Sequence, residues 1–129
     1  MAKKLTKKQL EHLMQRLLRE RERARRSLGQ YDEMAKESAE QNDSDSYSYS
    51  DHMADLGTDA MEREKTFLLA SKSGRLLYHI DEALRRIRTN SYGKCHQCGD
   101  EIAKTRLEAV PHARLCIACK EIEEQQKTK

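Results

Sequence analysis

The sequence predicts a mostly α-helical protein: an antiparallel two-helix coiled-coil hairpin joined to a small four-cysteine knob and a short C-terminal helix. Two long stretches repeat their apolar residues at helical spacing, and four cysteines form two C-x-x-C pairs. Hydrophobic residues make up 36% of the 129 residues, and charged residues another 36%. So few apolar side chains cannot fill a barrel or a doubly wound sheet, but they suffice for the seam between two helices.

The first helix is predicted from Leu5 to about Ala39. Over this stretch, apolar residues recur every 3.5 residues on average, which is the spacing of a coiled-coil seam. We expect Leu13 and Leu18 to widen the apolar stripe. The seam positions are Leu10, Met14, Leu17, Arg21, Ala24, Leu28, Tyr31, Ala35 and Ser38.

A second helix is predicted from about residue 52 or 55 to Ile87, after a polar segment. That segment, residues 40–50, is rich in Ser and Asp and is predicted to form a loop. Phe67 is expected to broaden the second apolar stripe. Two helices of equal length joined by a short loop should pair antiparallel. The second seam consists of Leu69, Ser73, Leu76, Ile80, Ala83 and Ile87.

Charge alternates along the chain. Residues 1–30 carry ten basic and three acidic residues, whereas residues 31–66 carry three basic and eleven acidic ones. Residues 67–129 carry twelve basic and eight acidic residues. The predicted hairpin therefore turns through an acidic region that lies between two basic ones.

We predict two structural regions. Residues 1–90 form the coiled-coil hairpin, with an acidic tip loop near residues 40–57. Residues 91–129 form the four-cysteine module, with a C-terminal helix that starts near Cys116. Gly93 is the expected stop of the second helix, because glycine readily adopts the left-handed conformation that ends helices.

The four cysteines predict one structural zinc ion. Cys95 and Cys98 form one pair and Cys116 and Cys119 the other, with 17 residues between the pairs. Two intervening residues let both sulfurs of a pair reach one tetrahedral ion, and Gly99 permits the positive φ of such a turn. Four thiolates leave no position for a catalytic water. Redox-active pairs or disulfides are the alternatives, but neither explains two matched pairs.

The sequence also bears on location and activity. No apolar run approaches the roughly 18 residues that a membrane helix needs, and the N-terminus leads into a charged helix, not a signal peptide. We expect a cytoplasmic monomer, in a compartment where paired cysteines bind metal more often than they form disulfides. We do not expect an enzyme, because no nucleophile–base pair or phosphate-binding glycine loop stands out.

The cysteine module resembles a known family. From Cys95 the sequence follows C-x2-C-x3-I-x3-R-x4-P-x4-C-x2-C, with Ile102, Arg106 and Pro111 between the pairs. This pattern resembles the DksA/TraR-type zinc finger of bacterial transcription factors, and the similarity extends back to residues 51–57. The resemblance implies a factor that binds RNA polymerase. In that family the finger holds the rim of the secondary channel, and the coiled-coil tip enters the channel and modulates initiation.

The tip of this chain departs from the family motif, D-x-x-D-x-A. An ungapped alignment from the first cysteine places the second Asp on Asp55, the first on His52 and the Ala on Gly57. Asp51 is the candidate replacement for the first Asp, although one residue of helix rotates a side chain by about 100°. The resemblance thus implies a partner-binding tip at Asp51, His52 and Asp55. Both aspartates would also suit a helix N-cap, which alone would explain either.

Some family members bind the alarmone ppGpp between the factor and the polymerase. Of three basic positions linked to that binding, Lys120 matches, whereas the other two fall on His79 and Val110. A neutral valine cannot pair with phosphate. The resemblance therefore implies a ppGpp or polymerase contact at Lys120, and we expect weak or absent dependence on ppGpp.

Three other functions fit part of the pattern. GATA-type DNA-binding fingers share the cysteine spacing, but here a glutamate-rich helix follows Cys119 and would repel phosphates. Gre-type cleavage factors also insert an acidic coiled coil into the channel, and Asp51 and Asp55 could help to hold a Mg²⁺ ion, but as a class they lack this finger. A structural coiled-coil adaptor is the third alternative.

Overall fold

The computed structural model describes residues 4–44 and 53–128, without the side chains of residues 38–44 and 53–56. Over these residues the two long helices pack together, which confirms the predicted fold class. An isolated antiparallel bridge pairs Lys94 with Glu101. The described helices are α1 (Lys7–Ser44), α2 (Met53–Arg88), α3 (Lys104–Ala109) and α4 (Ile117–Lys127).

Helix α1 begins with a reciprocal cap and continues further than predicted. The backbone N–H of Thr6 donates to Gln9 Oε1 (3.0 Å), and the Gln9 N–H donates to Thr6 Oγ1 (3.2 Å). These two bonds form a capping box. The helix then runs through residues 40–44, where the sequence predicts a loop, so that part of the prediction is wrong. No glycine or proline interrupts the chain between Gly29 and Gly57, so nothing ends the helix at residue 40.

Helix α2 ends at Arg88, and Asn90 instead of Gly93 supplies the left-handed residue that stops it, so the predicted stop residue was wrong. Asn90 has a φ of +60°. Its N–H donates to the Ile87 carbonyl (3.3 Å), and the Ser91 N–H donates to the Arg86 carbonyl (2.9 Å). This is the Schellman pattern, in which asparagine substitutes for the usual glycine. Gly93 also has a positive φ, +85°, but it lies in the turn that leads to Cys95.

The structure divides into two compact units. The finger unit comprises Met1–Arg21 and Tyr78–Lys129, and the hairpin unit comprises Glu22–Leu77. The predicted boundary near residue 90 stays a prediction. The finger unit contains a core drawn from α1, α2 and the cysteine module. Its buried residues include Leu13, Leu17, Ile80, Ala83, Ile102, Leu107 and Leu115.

The hairpin unit buries much less. Among its described side chains, Ala24 alone is buried, whereas the seam residues Leu28, Tyr31 and Leu69 are half-buried. Phe67 was expected to broaden the seam, but its side chain is 69% exposed beside a groove of about 340 Å³. Leu18, in the finger unit, is likewise 43% exposed. Both residues are apolar, but they lie beside the seam instead of in it.

Candidate metal centre

The four cysteines converge on one point of the finger unit. Their Sγ atoms all lie within 4.8 Å of one another, close enough to hold one metal ion. The Sγ atoms of Cys98 and Cys116 are 3.8 Å apart. Cys95 is buried and Cys98 exposed, whereas Cys116 and Cys119 are half-buried. The structure therefore brings together the four positions that the sequence predicts as ligands.

The first pair lies in a tight turn after α2. The Gly99 N–H donates to the Cys95 carbonyl (3.0 Å), and the Cys95 N–H donates to the Asp100 carbonyl (2.8 Å). Gly99 has a φ of +76°, a conformation that a side chain would strain. This confirms the role predicted for Gly99, which lets the chain reverse and point both sulfurs to the same side.

The second pair is presented by the start of α4. Cys116 is the N-cap residue, and its side chain makes no capping hydrogen bond. Cys119 lies in the first turn, and the Lys120 N–H donates to the Cys116 carbonyl (2.9 Å). The first turn of α4 thus presents both sulfurs of the second pair.

The proton affinities of the thiols show why a cation suits this cluster. Burial raises the pKa of Cys95, but N–H groups of Cys98, Cys116 and Gln97 outweigh burial and lower it to about 6. Hydrogen bonds with the Cys116 and Cys95 sulfurs raise the pKa of Cys119 to about 12. One thiolate is therefore favoured at the expense of another. Four thiolates this close together need a divalent cation, and tetrahedral sulfur ligation is what Zn²⁺ prefers.

Three side chains hold the approach to the second pair through hydrogen bonds to backbone carbonyls. The Tyr92 hydroxyl donates to the Pro111 carbonyl (2.7 Å), and Arg106 Nε donates to the Leu115 carbonyl (2.9 Å). Arg86 Nη2 lies 3.5 Å from the Ala113 carbonyl. The sequence pointed to Arg106, since this residue belongs to the family pattern. It did not point to Tyr92 or Arg86, because their hydrogen-bond partners are backbone atoms about twenty or more residues away.

A second network ties α1 to α3. Arg16 of α1 donates to the Glu108 carbonyl and lies 3.5 Å from the Glu108 carboxylate. His12 Nε2 also lies 3.5 Å from that carboxylate. The first turns of α1 are therefore attached to the cysteine module by polar groups as well as by the core.

Lys120, His79 and Val110 lie around one cavity of about 190 Å³, together with Arg106 and Arg114. Lys120 Nζ is 3.9 Å from Glu123, and Arg106 donates to a backbone carbonyl. The cavity thus brings the three positions together, but its cations already have partners. The weak or absent dependence of this protein on ppGpp stays a prediction.

The predicted tip residues lie at the edge of what the structure describes. Asp51 and His52 are outside the described residues, and so is the side chain of Asp55. The backbone places Asp55 inside α2, two residues after its first residue, so Asp55 is not the N-cap of this helix. The role of the tip stays a prediction.

None of the helices in the described ranges combines the length and apolar character needed to cross a bilayer.

Comparison with known proteins identifies the cysteine module. Residues 90–125 match the model of the prokaryotic dksA/traR C4-type zinc finger, and this range includes all four cysteines. The cofactor is accordingly one structural zinc ion. The fold matches that of transcription factor DksA2 of Pseudomonas aeruginosa, with a TM-score of 0.75 and 27% sequence identity. The match covers 95% of this chain and 88% of the DksA2 chain.

Curated relatives extend the match along the chain. General stress protein 16O of Bacillus subtilis is 33% identical over 88% of this chain and 67% of its own length. The RNA polymerase-binding transcription factor DksA of Haemophilus influenzae is 37% identical over 55% of this chain. This chain spans 49% of that factor and 44% of its Buchnera aphidicola counterpart, about half of each. The matching zinc finger, the matching fold and the similarity to a curated relative along most of the chain together show that this chain belongs to the DksA/TraR-type zinc-finger family.

Proposed function

We propose that this protein is a bacterial transcription regulator that binds RNA polymerase through the secondary channel and modulates initiation. The observation that carries this proposal is the combination of a long helical hairpin with a four-cysteine centre, matched over 95% of the chain to transcription factor DksA2. Several relatives are named RNA polymerase-binding transcription factors. Because the chain spans about half of those relatives, the partner comes to this chain as a proposal.

In this proposal the zinc centre stabilises the finger unit. Cys95, Cys98, Cys116 and Cys119 are its four ligands in our proposal, and the ion acts as a structural cross-link between the turn after α2 and the start of α4. The surrounding residues keep the two pairs of sulfurs together and leave no ligand position open. This closed site supports a regulatory protein and not an enzyme, since no metal-bound water could form.

The segment that joins α1 and α2 would be the part that acts inside the channel. Residues 31–66 carry eleven acidic and three basic residues, and Asp51, His52 and Asp55 replace the family tip motif in part. Concentrated negative charge suits an approach to a metal-dependent active centre. Lys120, half-buried on α4, is the proposed polymerase contact in the finger unit.

Electrostatics around α4 support a protein partner over DNA. Arg114, Lys120 and Lys127 all lie within 4.0 Å of the Glu123 carboxylate, which lowers the pKa of that carboxyl chiefly through its hydrogen bond with Lys127. Cations that are neutralised within the protein add little to phosphate binding. The site of action in our proposal is the cytoplasm, where polymerase works.

The experiment that tests this function is a titration of the fluorescently labelled full chain with core RNA polymerase, competed by a known secondary-channel factor. We expect saturable binding that the competitor displaces. If the zinc-loaded, folded protein fails to bind, the proposal is wrong and the adaptor function becomes the better hypothesis. Binding that DNA displaces but the channel factor does not would favour a nucleic-acid partner.

The tip can be separated from binding by one substitution. Asp55→Asn removes a negative charge without changing size, so polymerase binding should persist while the effect on initiation is lost. Asp59→Asn, an exposed carboxylate one turn further along α2, is the matched control. Equal loss of activity in both variants would mean that the total charge of the region matters and not Asp55 itself. Unfolding of the Asp55 variant alone would assign Asp55 a structural role.

A further inference from the structure

The segment that leads into Cys116 is held by its own carbonyl oxygens. Pro111 accepts from the Tyr92 hydroxyl at 2.7 Å, and Leu115 accepts from Arg106 Nε at 2.9 Å. Between them, the Ala113 carbonyl lies 3.5 Å from Arg86 Nη2, and the Arg114 carbonyl accepts from the His96 N–H at 2.9 Å. The segment is neither helix nor strand, so side chains supply most of the hydrogen bonds that regular structure would have supplied.

Burial makes these hydrogen bonds strong constraints. Pro111, Ala113 and Leu115 are all buried. Of the donors, Tyr92 is 8% exposed and Arg86 is 4% exposed, and Arg86 is the buried charged residue of the described core. A buried carbonyl that loses its donor has no water to replace it. The segment can therefore adopt few conformations other than the one that satisfies all of these bonds.

The donors come from three different places in the fold. Arg86 belongs to α2, Tyr92 lies between α2 and the first cysteine pair, and Arg106 belongs to α3. Leu115 directly precedes Cys116, so fixing the Leu115 carbonyl fixes where the second cysteine pair begins. His96, whose N–H holds the Arg114 carbonyl, directly follows Cys95. The segment is thus positioned relative to the first pair from several sides.

We propose that Arg86, Tyr92 and Arg106 are positioning residues of the zinc centre, which hold residues 111–115 so that Cys116 and Cys119 meet Cys95 and Cys98. This inference rests on the zinc ligation proposed above. None of the three side chains is a ligand. Each lowers the conformational freedom that zinc would otherwise have to remove on binding, and groups of this kind commonly change metal affinity.

The most conservative test is Tyr92→Phe, which keeps the buried ring and removes only the hydroxyl. Zinc affinity of the full chain is measured by competition with a chromophoric chelator, and the absorption bands of the Co²⁺-substituted protein report ligand geometry. We expect zinc binding weakened by roughly 10-fold and altered Co²⁺ bands. Tyr78→Phe is the matched control, because that tyrosine is 63% exposed, and it should leave both readouts unchanged.

Two further comparisons address the arginines. Arg86→Met should weaken zinc binding more than Arg85→Met, since Arg85 pairs on the surface with Glu82 (2.8 Å). Arg106→Lys should restore part of the affinity lost in Arg106→Met, because lysine can still donate one hydrogen bond to the Leu115 carbonyl. If Arg86→Met does not fold, Tyr92→Phe and the Arg106 pair still decide the question.

A merely structural role gives a different result. Urea unfolding is measured for each variant with and without zinc. A positioning role requires the zinc-loaded protein to lose more stability than the zinc-free protein does. Equal losses, with unchanged zinc affinity and Co²⁺ bands, would overturn the proposal. Failure of the ligation itself is distinguishable, because Cys95→Ser would then retain zinc.

Discussion

The finger unit and the hairpin unit share two continuous helices, but they are stabilised in different ways. In the finger unit Leu13, Leu17 and Ile80 are fully buried, and a metal centre joins the turn after α2 to α4. In the hairpin unit Ala24 is the one buried residue among the described side chains, and Phe67 lies largely in solvent. One helix can therefore be rigid at one end and weakly held at the other, because burial and not helix propensity sets local stability.

Removal of zinc should abolish this difference in local stability, and this is the largest effect that we predict. Structural zinc sites contribute on the order of 10 kcal/mol of binding free energy, which here stabilises the finger unit alone. When zinc is bound, amide hydrogen exchange should be slow in the finger unit and fast in the described residues of the hairpin unit. A chelator, or Cys95→Ser, should bring exchange in the finger unit to similar rates.

The control for this experiment is Gln97→Ala, which changes an exposed side chain between the two cysteines and leaves the ligands in place. It should keep slow exchange in the finger unit. Zinc removal that leaves exchange in the finger unit slow would show that its apolar core suffices without metal.

Matched leucine substitutions on α1 should sharpen the comparison. Leu17→Ala removes a fully buried side chain and should lower the free energy of unfolding by about 3 kcal/mol. Leu28→Ala removes a half-buried side chain of the hairpin unit and should cost about 1 kcal/mol. Urea denaturation of the zinc-loaded protein measures both. Equal losses would mean that the hairpin unit is packed as tightly as the finger unit.

Alkaline pH should weaken the finger unit through Tyr92. Burial raises the pKa of this phenol well above its ordinary value of 10.0, so the folded protein keeps the proton after the unfolded chain has released it. Stability from Tyr92 is therefore fully present below pH 10 and falls as the pH rises further, by about 1.4 kcal/mol per pH unit.

Unfolding free energies of the zinc-loaded protein between pH 9 and 11 test this expectation. Tyr92→Phe should show a shallower alkaline decline than the parent protein, whereas Tyr78→Phe should show the same decline. Parallel declines in all three proteins would mean that Tyr92 ionises as readily in the folded state as in the unfolded chain.

The smallest effect should come from surface ion pairs. Arg21 Nε lies 2.6 Å from Asp81 Oδ1 and joins α1 to α2 within the finger unit, but both side chains are partly solvated. A double-mutant cycle with Arg21→Ala and Asp81→Ala should give a coupling of about 0.5 kcal/mol, reduced by salt. In the hairpin unit, the Glu22–Arg25 pair lies within α1 and should couple less. A larger coupling for Glu22–Arg25 would contradict this order.

Local patterns predicted most of the fold. The 3.5-residue repeat identified both long helices, and Gly99 and the cysteine spacing identified the first metal turn and the start of α4. Helix ends were less accurate. The sequence suggested Gly93 as the stop of α2, but Asn90 forms it, because asparagine also tolerates the left-handed conformation.

The missed features depend on tertiary contacts. Helix α3 is short and was not predicted, since six residues carry too little periodicity to stand out. Phe67 and Leu18 fit an apolar stripe by their spacing, but their side chains are exposed in the folded chain. Tyr92 and Arg86 donate to backbone carbonyls. Every residue has such a carbonyl, so the sequence does not show which one a side chain will bind. These residues could be found only after the chain was folded.

The division into units also bears on chain length. The finger unit is assembled from both ends of the described chain, so residues 22–77 are an insertion between its two halves. Loop-closure entropy changes slowly with the length of an insertion, by roughly 0.6 kcal/mol for each doubling. Deleting or adding one heptad in each helix would keep the apolar seam in register. The hairpin could thus be lengthened or shortened, by evolution or by design, while the zinc centre and its supporting residues stay unchanged.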